Sequence, residues 1–174
     1  RNLPVLWLFT DGLRLPDPCG AVARLPRGLC GVVLRHDGAA DRAALGRRLA
    51  GLCRARRNVL VVAGDWRLAA ALRAGVHLRG GRRLPMPRHT ISTGSAHGVA
   101  EAVAARRAGA ALIFLSPAFA TVSHPGAPGL GPVRWNRQAG QAGVAAALGG
   151  VTGENVRRLA RRRCVAVGAI GALA

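Results

Sequence analysis

The sequence contains no lysine and no tyrosine, and it is poor in acidic and aromatic residues. All 26 basic residues are arginine, 7 residues are acidic, and Phe and Trp occur 3 times each, so the formal net charge is +19. Such a charge ordinarily indicates nucleic-acid binding, because clustered cations release counterions from phosphates. The exclusive use of arginine, with abundant Ala, Gly and Pro, is instead typical of a strongly GC-biased coding sequence.

The position of the arginines along the chain favours this simpler explanation. Most of them fall on presumed helix faces, where exposure to solvent is enough to account for them. No aromatic residues are interleaved with them, although stacking on aromatic side chains is a common way to hold single strands. We therefore expect no nucleic acid as a partner. The arginines concerned are Arg42, Arg47, Arg48, Arg54, Arg56, Arg57, Arg106, Arg107, Arg157 and Arg158.

Long apolar runs and clustered cysteines are also missing. No run approaches the roughly 18 residues that cross a bilayer, and the N-terminus lacks a signal-peptide pattern, so we expect a cytoplasmic protein without membrane contact. The cysteines lack CxxC spacing, which fits neither a zinc cluster nor a disulfide-rich secreted fold. We expect buried thiols at all four positions, Cys19, Cys30, Cys53 and Cys164.

What the sequence does contain is a series of short apolar segments separated by turn residues. We predict strands at residues 5–10, 30–35, 58–63, 75–78, 89–93, 110–115, 143–148 and 164–167. Helices are predicted at residues 41–55, 66–73, 96–108 and 154–162, with caps at Asp41, Ser95 and Thr152. Residues 79–88 show no helical pattern. Pro117 ends the sixth strand and begins a loop rich in proline, glycine and hydroxyl groups.

Eight apolar strands that alternate with helices predict a parallel sheet covered by helices, and the count favours a closed (β/α)8 TIM barrel over an open doubly wound sheet. The chain has 174 residues, against about 250 in a typical barrel, so we expect some outer helices to be reduced or missing. Residues 1–174 are predicted to form one domain. Because the sequence begins without Met and stops after the last strand, we expect that its ends, and some internal loops, are absent.

A missing eighth helix would leave the outer face of the first and last strands uncovered. We expect a homodimer to cover this face.

The polar residues follow the strands at the end where barrels carry their chemistry. Asp11, Arg35, Asp65, Arg79, Ser95 and His97 come after successive strands, and residues 116–124 follow the sixth. We therefore expect all of them at one mouth. Gly149 and Gly150 end the seventh strand before the helix near Thr152, and residues 168–171 follow the eighth. Backbone amides there predict a phosphate site, although glycines that only turn the chain would look the same.

Seven motifs, in order, resemble the thiamine phosphate synthase and TenI (thiazole tautomerase) family: LWLFTD, VVLRHD, AGDWRLA, GVHL, Ser95-Ala96-His97, SPAFATVSH and LGGVTGEN. The resemblance implies that an aminopyrimidine pyrophosphate is joined to a thiazole phosphate, with Mg²⁺ holding the pyrophosphate that leaves. It implies a phosphorylated small-molecule substrate. The implied catalytic residues are Arg35, Ser95 and His124, the implied substrate-binding residues are His77, His97, Thr121, Ser123, Gly149, Gly150, Gly168 and Ala169, and the implied metal ligand is Asp65.

The departures from the family pattern fall on the metal and pyrophosphate side. Val33 and Asp37 stand where the family has Gln and Lys, and Ala63 and Gly64 occupy its Asn-Asp positions. The metal-binding carboxylate is therefore lost unless Asp65 replaces it. Arginines and glycines follow GVHL where the family has a Gln and an acidic ligand. His124 replaces a Lys, and Pro117 stands at the position of the tautomerase His.

Two functions follow from this pattern. The first is a thiamine phosphate synthase with a degenerate metal site, in which Arg35, Arg79 and Arg82 hold phosphates. The second is a TenI-like or non-catalytic barrel that binds a phosphorylated ligand. His77 is as well explained by a structural hydrogen bond as by catalysis, and Asn155 by support of the following helix. A basic nucleic-acid-binding module is a third class, based on charge alone.

Overall fold

Eight parallel strands close into a barrel in which each strand pairs with its sequence neighbours and β8 returns to β1. The structure is a computed structural model that describes residues 3–80, 82–85, 90–121, 126 and 128–170. The predicted TIM barrel is therefore confirmed. The strands are β1 (Leu6–Phe9), β2 (Cys30–Leu34), β3 (Val59–Ala63), β4 (Gly75–Leu78), β5 (Ser92–Ala96), β6 (Leu112–Leu115), β7 (Ala145–Leu148) and β8 (Cys164–Ala169).

Fewer than eight helices surround the barrel in the described part of the chain. They are α1 (Pro18–Arg24), α2 (Arg42–Ala55), α3 (Trp66–Leu72), α4 (Val99–Arg107) and α5 (Gly131–Ala142), with a single 3₁₀ turn, Asn155–Arg158, between β7 and β8. Asp41 caps α2 as predicted, because its side chain accepts from the Ala44 amide at 2.7 Å. The described residues between β4 and β5 form no helix.

Several predicted boundaries were wrong. Ser95 does not cap a helix: it lies inside β5, and α4 begins later, after Gly98. The helix predicted at 154–162 is only the 3₁₀ turn. Helices α1 and α5 were not predicted, since each is rich in Gly or begins near Pro, and such composition is more typical of loops. Of the predicted strand 89–93, His89 is not among the described residues, and Thr90 and Ile91 precede β5.

The core has two layers, one inside the barrel and one between the strands and the helices. Aromatic rings fill the interior: Phe114 lies edge-on to Phe9 at 4.8 Å and to Trp7 at 5.6 Å between ring centroids. Gly31 and Gly168 make room for these rings, because a Cβ at either would collide with Trp7 or Phe9, respectively. The filled interior leaves the strand ends as the place for a ligand.

The outer layer is incomplete in two places. Beside β4, which no helix follows within the described residues, a groove of about 600 Å³ is lined by residues that include Leu60, Leu72 and Val76. Outside β8 a smaller hollow of about 240 Å³ lies beside Val5 and Val165, which are 50% and 44% exposed. No helix in the described ranges is long and apolar enough to cross a membrane.

Candidate functional site

The parallel register brings the carboxyl ends of the eight strands to one mouth, as the sequence predicted. Side chains alternate along a strand, so residues two positions apart share a face. Val33 belongs to the barrel interior, and Arg35 therefore continues the inward face of β2 towards the mouth. By the same argument, Arg79 continues the inward face of β4 from His77 towards the mouth.

A hydrogen-bonded chain of three polar side chains lies at the centre of this mouth. The His77 ring approaches Thr93 Oγ1 with Nδ1 at 2.8 Å and Ser95 Oγ with Nε2 at 3.0 Å. The ring rests on Phe9 and Phe114, with centroid distances of 5.6 and 6.0 Å. Thr93 is fully buried, and Ser95 is partly exposed to the mouth. The arrangement holds the Ser95 hydroxyl where a ligand can reach it.

His77 is kept neutral by its surroundings. Burial, and then the positive charges of Arg35 and Arg79, lower the pKa of the imidazole to about 3. A neutral ring carries one N–H, so one neighbouring hydroxyl accepts from it and the other donates to it. With so low a pKa the ring is a weak proton acceptor, and its evident role is to orient Ser95. The hydrogen bond between His77 and Ser95 is thus structural and also positions a hydroxyl group at the mouth.

Arg35 supplies positive charge beside this chain. Its backbone amide donates to Thr10 Oγ1 at 3.0 Å, which holds the turn after β2 in place. Its charge acts on both His77 and Asp11. Within the described part of the chain, no carboxylate lies within ion-pair distance of its guanidinium. Arg35 is therefore available to an anion at the mouth.

Asp11 and His36 line the same side of the mouth. Burial would raise the pKa of Asp11, but backbone amides of Arg14 and Leu13 donate to the carboxylate and lower it overall. Burial also lowers the pKa of His36, whose Nδ1 lies 2.9 Å from Thr10 Oγ1. His36 was not predicted as a site residue, although its place after a strand was a signal for it.

The acidic residues nearest the predicted metal position are held by arginines. Asp37 contacts Arg79 at 2.5 Å and Arg42 at 3.3 Å, and Arg42 also approaches Asp65 at 3.7 Å. The other oxygen of Asp65 accepts from the Leu68 amide at 2.9 Å and so caps α3. Asp65 thus acts here as a helix cap and an arginine partner.

This donor set does not fit Mg²⁺. The ion requires several hard oxygen ligands in an octahedral arrangement, whereas both carboxylates here already face the cation of Arg42. Among the described residues, no three His, Cys, Asp or Glu side chains are grouped so as to hold a metal. The ligand role predicted for Asp65 is not supported by these contacts.

His97 lies at the edge of the mouth. Its Nδ1 is 3.2 Å from the Ser116 carbonyl oxygen, so the ring donates there in the tautomer with a proton on Nδ1. Its backbone amide donates to Glu101 at 2.9 Å, which fixes the turn into α4. The ring is exposed and accessible from solvent.

Gly149 and Gly150 form a tight turn after β7, with φ of +85° and +64°. A Cβ on Gly150 would collide with the Ala120 carbonyl oxygen, so the turn packs directly on the loop after β6. Asn155 holds it by donating to the Gly150 carbonyl at 2.7 Å and accepting from the Thr152 amide at 2.8 Å. The predicted support by Asn155 is observed, but the helix dipole expected there is reduced to that of one 3₁₀ turn.

The remaining predicted residues fall into two groups. Gly168 and Ala169 belong to β8 and not to a loop after it, and Gly168 faces Phe9 in the interior. Thr121 is partly exposed in the loop after β6. Ser123 and His124 lie outside the described residues, as do residues 171–174 after β8.

Comparison with known proteins agrees with this geometry. Residues 21–173 match the family model described as thiamine monophosphate synthase. A thiamine phosphate pyrophosphorylase from Pyrococcus furiosus has a similar structure, with a TM-score of 0.76 and 23% identity over 95% of this chain and 84% of that one. No protein in the curated set has significant sequence similarity to the chain.

Other barrels are similar in fold alone. A native KDPGal structure has a TM-score of 0.62 and 14% identity, over 97% of this chain and 83% of that one. FabK from Thermotoga maritima has a TM-score of 0.69 and 12% identity, over 98% of this chain and 58% of that one.

Proposed function

Because the chain belongs to the thiamine monophosphate synthase family, we propose that it binds phosphorylated thiamine precursors at the mouth and joins them slowly, with little help from Mg²⁺. The aminopyrimidine pyrophosphate and the thiazole phosphate are the substrates that the family resemblance implies. The single observation that carries the proposal is the arginine network around Asp37 and Asp65, which occupies the carboxylates where a metal would be expected.

The reaction requires a group that stabilises pyrophosphate as it departs, because several negative charges develop on it. Arg35 faces this task with a guanidinium that no described carboxylate neutralises, and a guanidinium can donate two parallel hydrogen bonds to a phosphate. Arg79 is nearby but is tied to Asp37. Loss of one preorganised donor commonly slows a reaction about 10²- to 10³-fold, so an incomplete set of donors supports a slow reaction.

Ser95 and His77 are assigned to the pyrimidine part of the substrate in this proposal. The neutral ring cannot repel a cationic pyrimidine as an imidazolium would, and the hydroxyl it orients can donate to or accept from a ring substituent. The thiazole phosphate is assigned to the turn at Gly149 and Gly150, beside Thr121. Magnesium takes no step in this account, since the carboxylates present do not suit it.

The decisive experiment incubates the protein with both precursors, with and without millimolar Mg²⁺, and measures thiamine phosphate and pyrophosphate. Slow turnover that changes less than about twofold with Mg²⁺ supports the proposal. Brisk turnover that depends on Mg²⁺ and is abolished by Asp65→Asn would show that Asp65 is a metal ligand, and the proposal would fall.

The second candidate, a phosphate-binding barrel without transferase activity, is favoured by the same arginine network. It predicts that thiazole phosphate binds in calorimetry while no product forms. Binding at the β7 turn is tested by Gly153→Asp, which adds a negative charge where a side chain meets open space. Gly51→Asp on the outer surface of α2 is the matched control, since its site is equally open. Weaker binding in the first variant alone supports this phosphate position, and equal binding in both contradicts it.

A further inference from the structure

The barrel separates the two signs of charge between its ends. Every acidic residue of the chain lies at the mouth, either after a strand or in the first turn of a helix. The opposite end, which we call the base, is made of the connections from each helix to the next strand, and these are rich in arginine. The acidic residues are Asp11, Asp17, Asp37, Asp41, Asp65, Glu101 and Glu154.

Six arginines of the base form one continuous group, which we call the basal arc. It runs over the connections α1–β2, α2–β3 and α3–β4, which are held together by hydrogen bonds. Arg56 donates to the Leu25 carbonyl at 3.1 Å, Arg27 to Ala55 at 3.1 Å, and Arg54 to Leu72 at 3.4 Å. The arc consists of Arg24, Arg27, Arg54, Arg56, Arg57 and Arg73, of which all but the half-buried Arg56 are exposed.

The arc contains more arginines than are needed to stabilise the C-termini of its helices through the helix dipole. A cation near a helix C-terminus is stabilising within the last turn, and Arg54 suffices for α2. The same connection adds Arg56 and Arg57, and Arg57 even takes a left-handed backbone with φ of +57°. With no carboxylate at this end, the guanidiniums repel one another, and an external polyanion would relieve that repulsion.

Although the sequence led us to expect no nucleic acid as a partner, we propose that the basal arc binds the phosphate backbone of duplex nucleic acid without regard to sequence. The missing aromatic residues on which that expectation partly rested are needed to stack bases of a single strand, not to contact the backbone of a duplex. Guanidinium groups match phosphate oxygens in pairs, and an arc over three connections suits an extended polyanion better than a single small one. The base is remote from the mouth, so this binding is a property additional to the proposed synthase function.

Other polyanions match the arc less well. No Trp or Phe occurs in its connections, so bases of a single strand would find no stacking platform there. Leu29 in the connection α1–β2 is 54% exposed, and it is the one large exposed hydrophobic residue among the described residues of these three connections. One aliphatic side chain gives little insertion into a bilayer. The arc can therefore contact only the phosphate backbone of a nucleic acid, and a duplex presents a denser row of phosphates than a single strand does.

The test compares two triple variants of equal charge. Arg24→Gln, Arg57→Gln and Arg73→Gln together remove three arc cations whose side chains donate to no carbonyl oxygen among the described residues, so the helix ends stay intact. Arg47→Gln, Arg134→Gln and Arg137→Gln remove three exposed cations from the sides of α2 and α5. Affinity for a random-sequence DNA duplex is measured by fluorescence anisotropy over a range of salt concentrations.

We expect the arc variant to bind roughly tenfold more weakly and to lower the slope of log affinity against log salt by about 2.7, as loss of three phosphate contacts implies. The control variant should bind within about twofold of the original. Equal losses in both variants would show that overall charge alone is responsible and would overturn the proposal. Tighter binding to anionic phospholipid vesicles than to duplex, lost only in the arc variant, would assign the arc to a membrane surface and overturn it as well.

Discussion

At the mouth of the barrel arginines are paired with carboxylates, whereas at the base they contact backbone carbonyls or solvent. Asp37, Arg42 and Arg79 illustrate the first arrangement, and Arg54 and Arg56 the second. Pairing at the mouth leaves Arg35 as a localised positive charge beside polar side chains, which suits a small anion. The base spreads its charge over three connections, which suits a large one. Arginine thus has different partners at the mouth and at the base, because the fold places acidic residues only at the mouth.

The ends also differ in what holds them together, and asparagine substitutions should show this most strongly. Asn58 at the base is buried, and its Oδ1 accepts from the amides of Gly28 at 2.9 Å and Cys30 at 3.3 Å. We expect Asn58→Ala to lower the free energy of unfolding by about 2 kcal/mol, because the buried Cys30 amide loses its acceptor, whereas the Gly28 amide keeps the Arg56 carbonyl. Urea denaturation measures the change.

Asn155→Ala is the counterpart at the mouth, where solvent can replace part of the lost contacts. It should cost about 1 kcal/mol and weaken binding of a phosphorylated ligand, which Asn58→Ala should leave unchanged. A larger loss of stability for Asn155→Ala would reverse the comparison of the two ends.

The second effect is the response of the mouth to acid. The folded-state pKa of His77, about 3, lies below its ordinary value of 6.5, so the unfolded chain takes up a proton before the folded one does. Stability from this group is complete above pH 6.5 and is lost as the pH falls towards 3, by about 1.4 kcal/mol per pH unit.

His77→Gln should remove this part of the pH dependence and leave the rest. Unfolding free energies of the two proteins, measured between about pH 6.5 and 4.5, give the difference directly, because the other titrating groups are common to both. Parallel curves would mean that His77 is not held neutral in the folded protein.

A smaller effect is expected from breaking one pair at the mouth. Asp37→Asn should release Arg79 and raise affinity for an anionic ligand about two- to fivefold, since an exposed ion pair is worth up to about 1 kcal/mol. Asp41→Asn is the control, because Asp41 caps α2 without an arginine partner among the described residues. Calorimetry with thiazole phosphate tests both variants, and unchanged affinity in Asp37→Asn would show that Arg79 does not reach the ligand.

The last comparison concerns the uncovered outer face of β8. We predict that a second copy of the chain covers Val5 and Val165, and that Val165→Arg raises the dimer dissociation constant about tenfold through apolar area lost from contact. Sedimentation at micromolar concentration measures it. A monomer under those conditions, for the unchanged protein, excludes the dimer.

The strands could be predicted from the sequence because a strand buried on both faces is apolar at nearly every position. GVHL was placed without error, and the other seven runs were placed within a few residues. Helices were harder to predict. Asp41 and the leucines of α2 show a clear pattern, but α5 begins at Gly131-Pro132 and has no acidic first turn.

The sequence predicted where the candidate site lies, but not which side chains form hydrogen bonds and ion pairs there. Arg35, His77 and Ser95 were recognised as residues that follow or close a strand, and they do share the mouth. Thr93 was not recognised, because its role depends on lying directly opposite His77 on the neighbouring strand β5. The family resemblance implied Asp65 as a metal ligand, and the sequence could not show that Arg42 lies against it.

The sequence by itself determined the order of strands, the parallel barrel and the strand ends that form the mouth, because hydrophobic periodicity and turn residues are local properties. Only the tertiary structure decided which charges meet. Acidic residues occur where strands end or helices begin, and the arginines of the base occur where helices end. This order along the chain becomes a separation in space, into a paired mouth and an unpaired base, because every strand runs in the same direction. Coulomb interactions depend on distance in space, and closure of the barrel sets those distances.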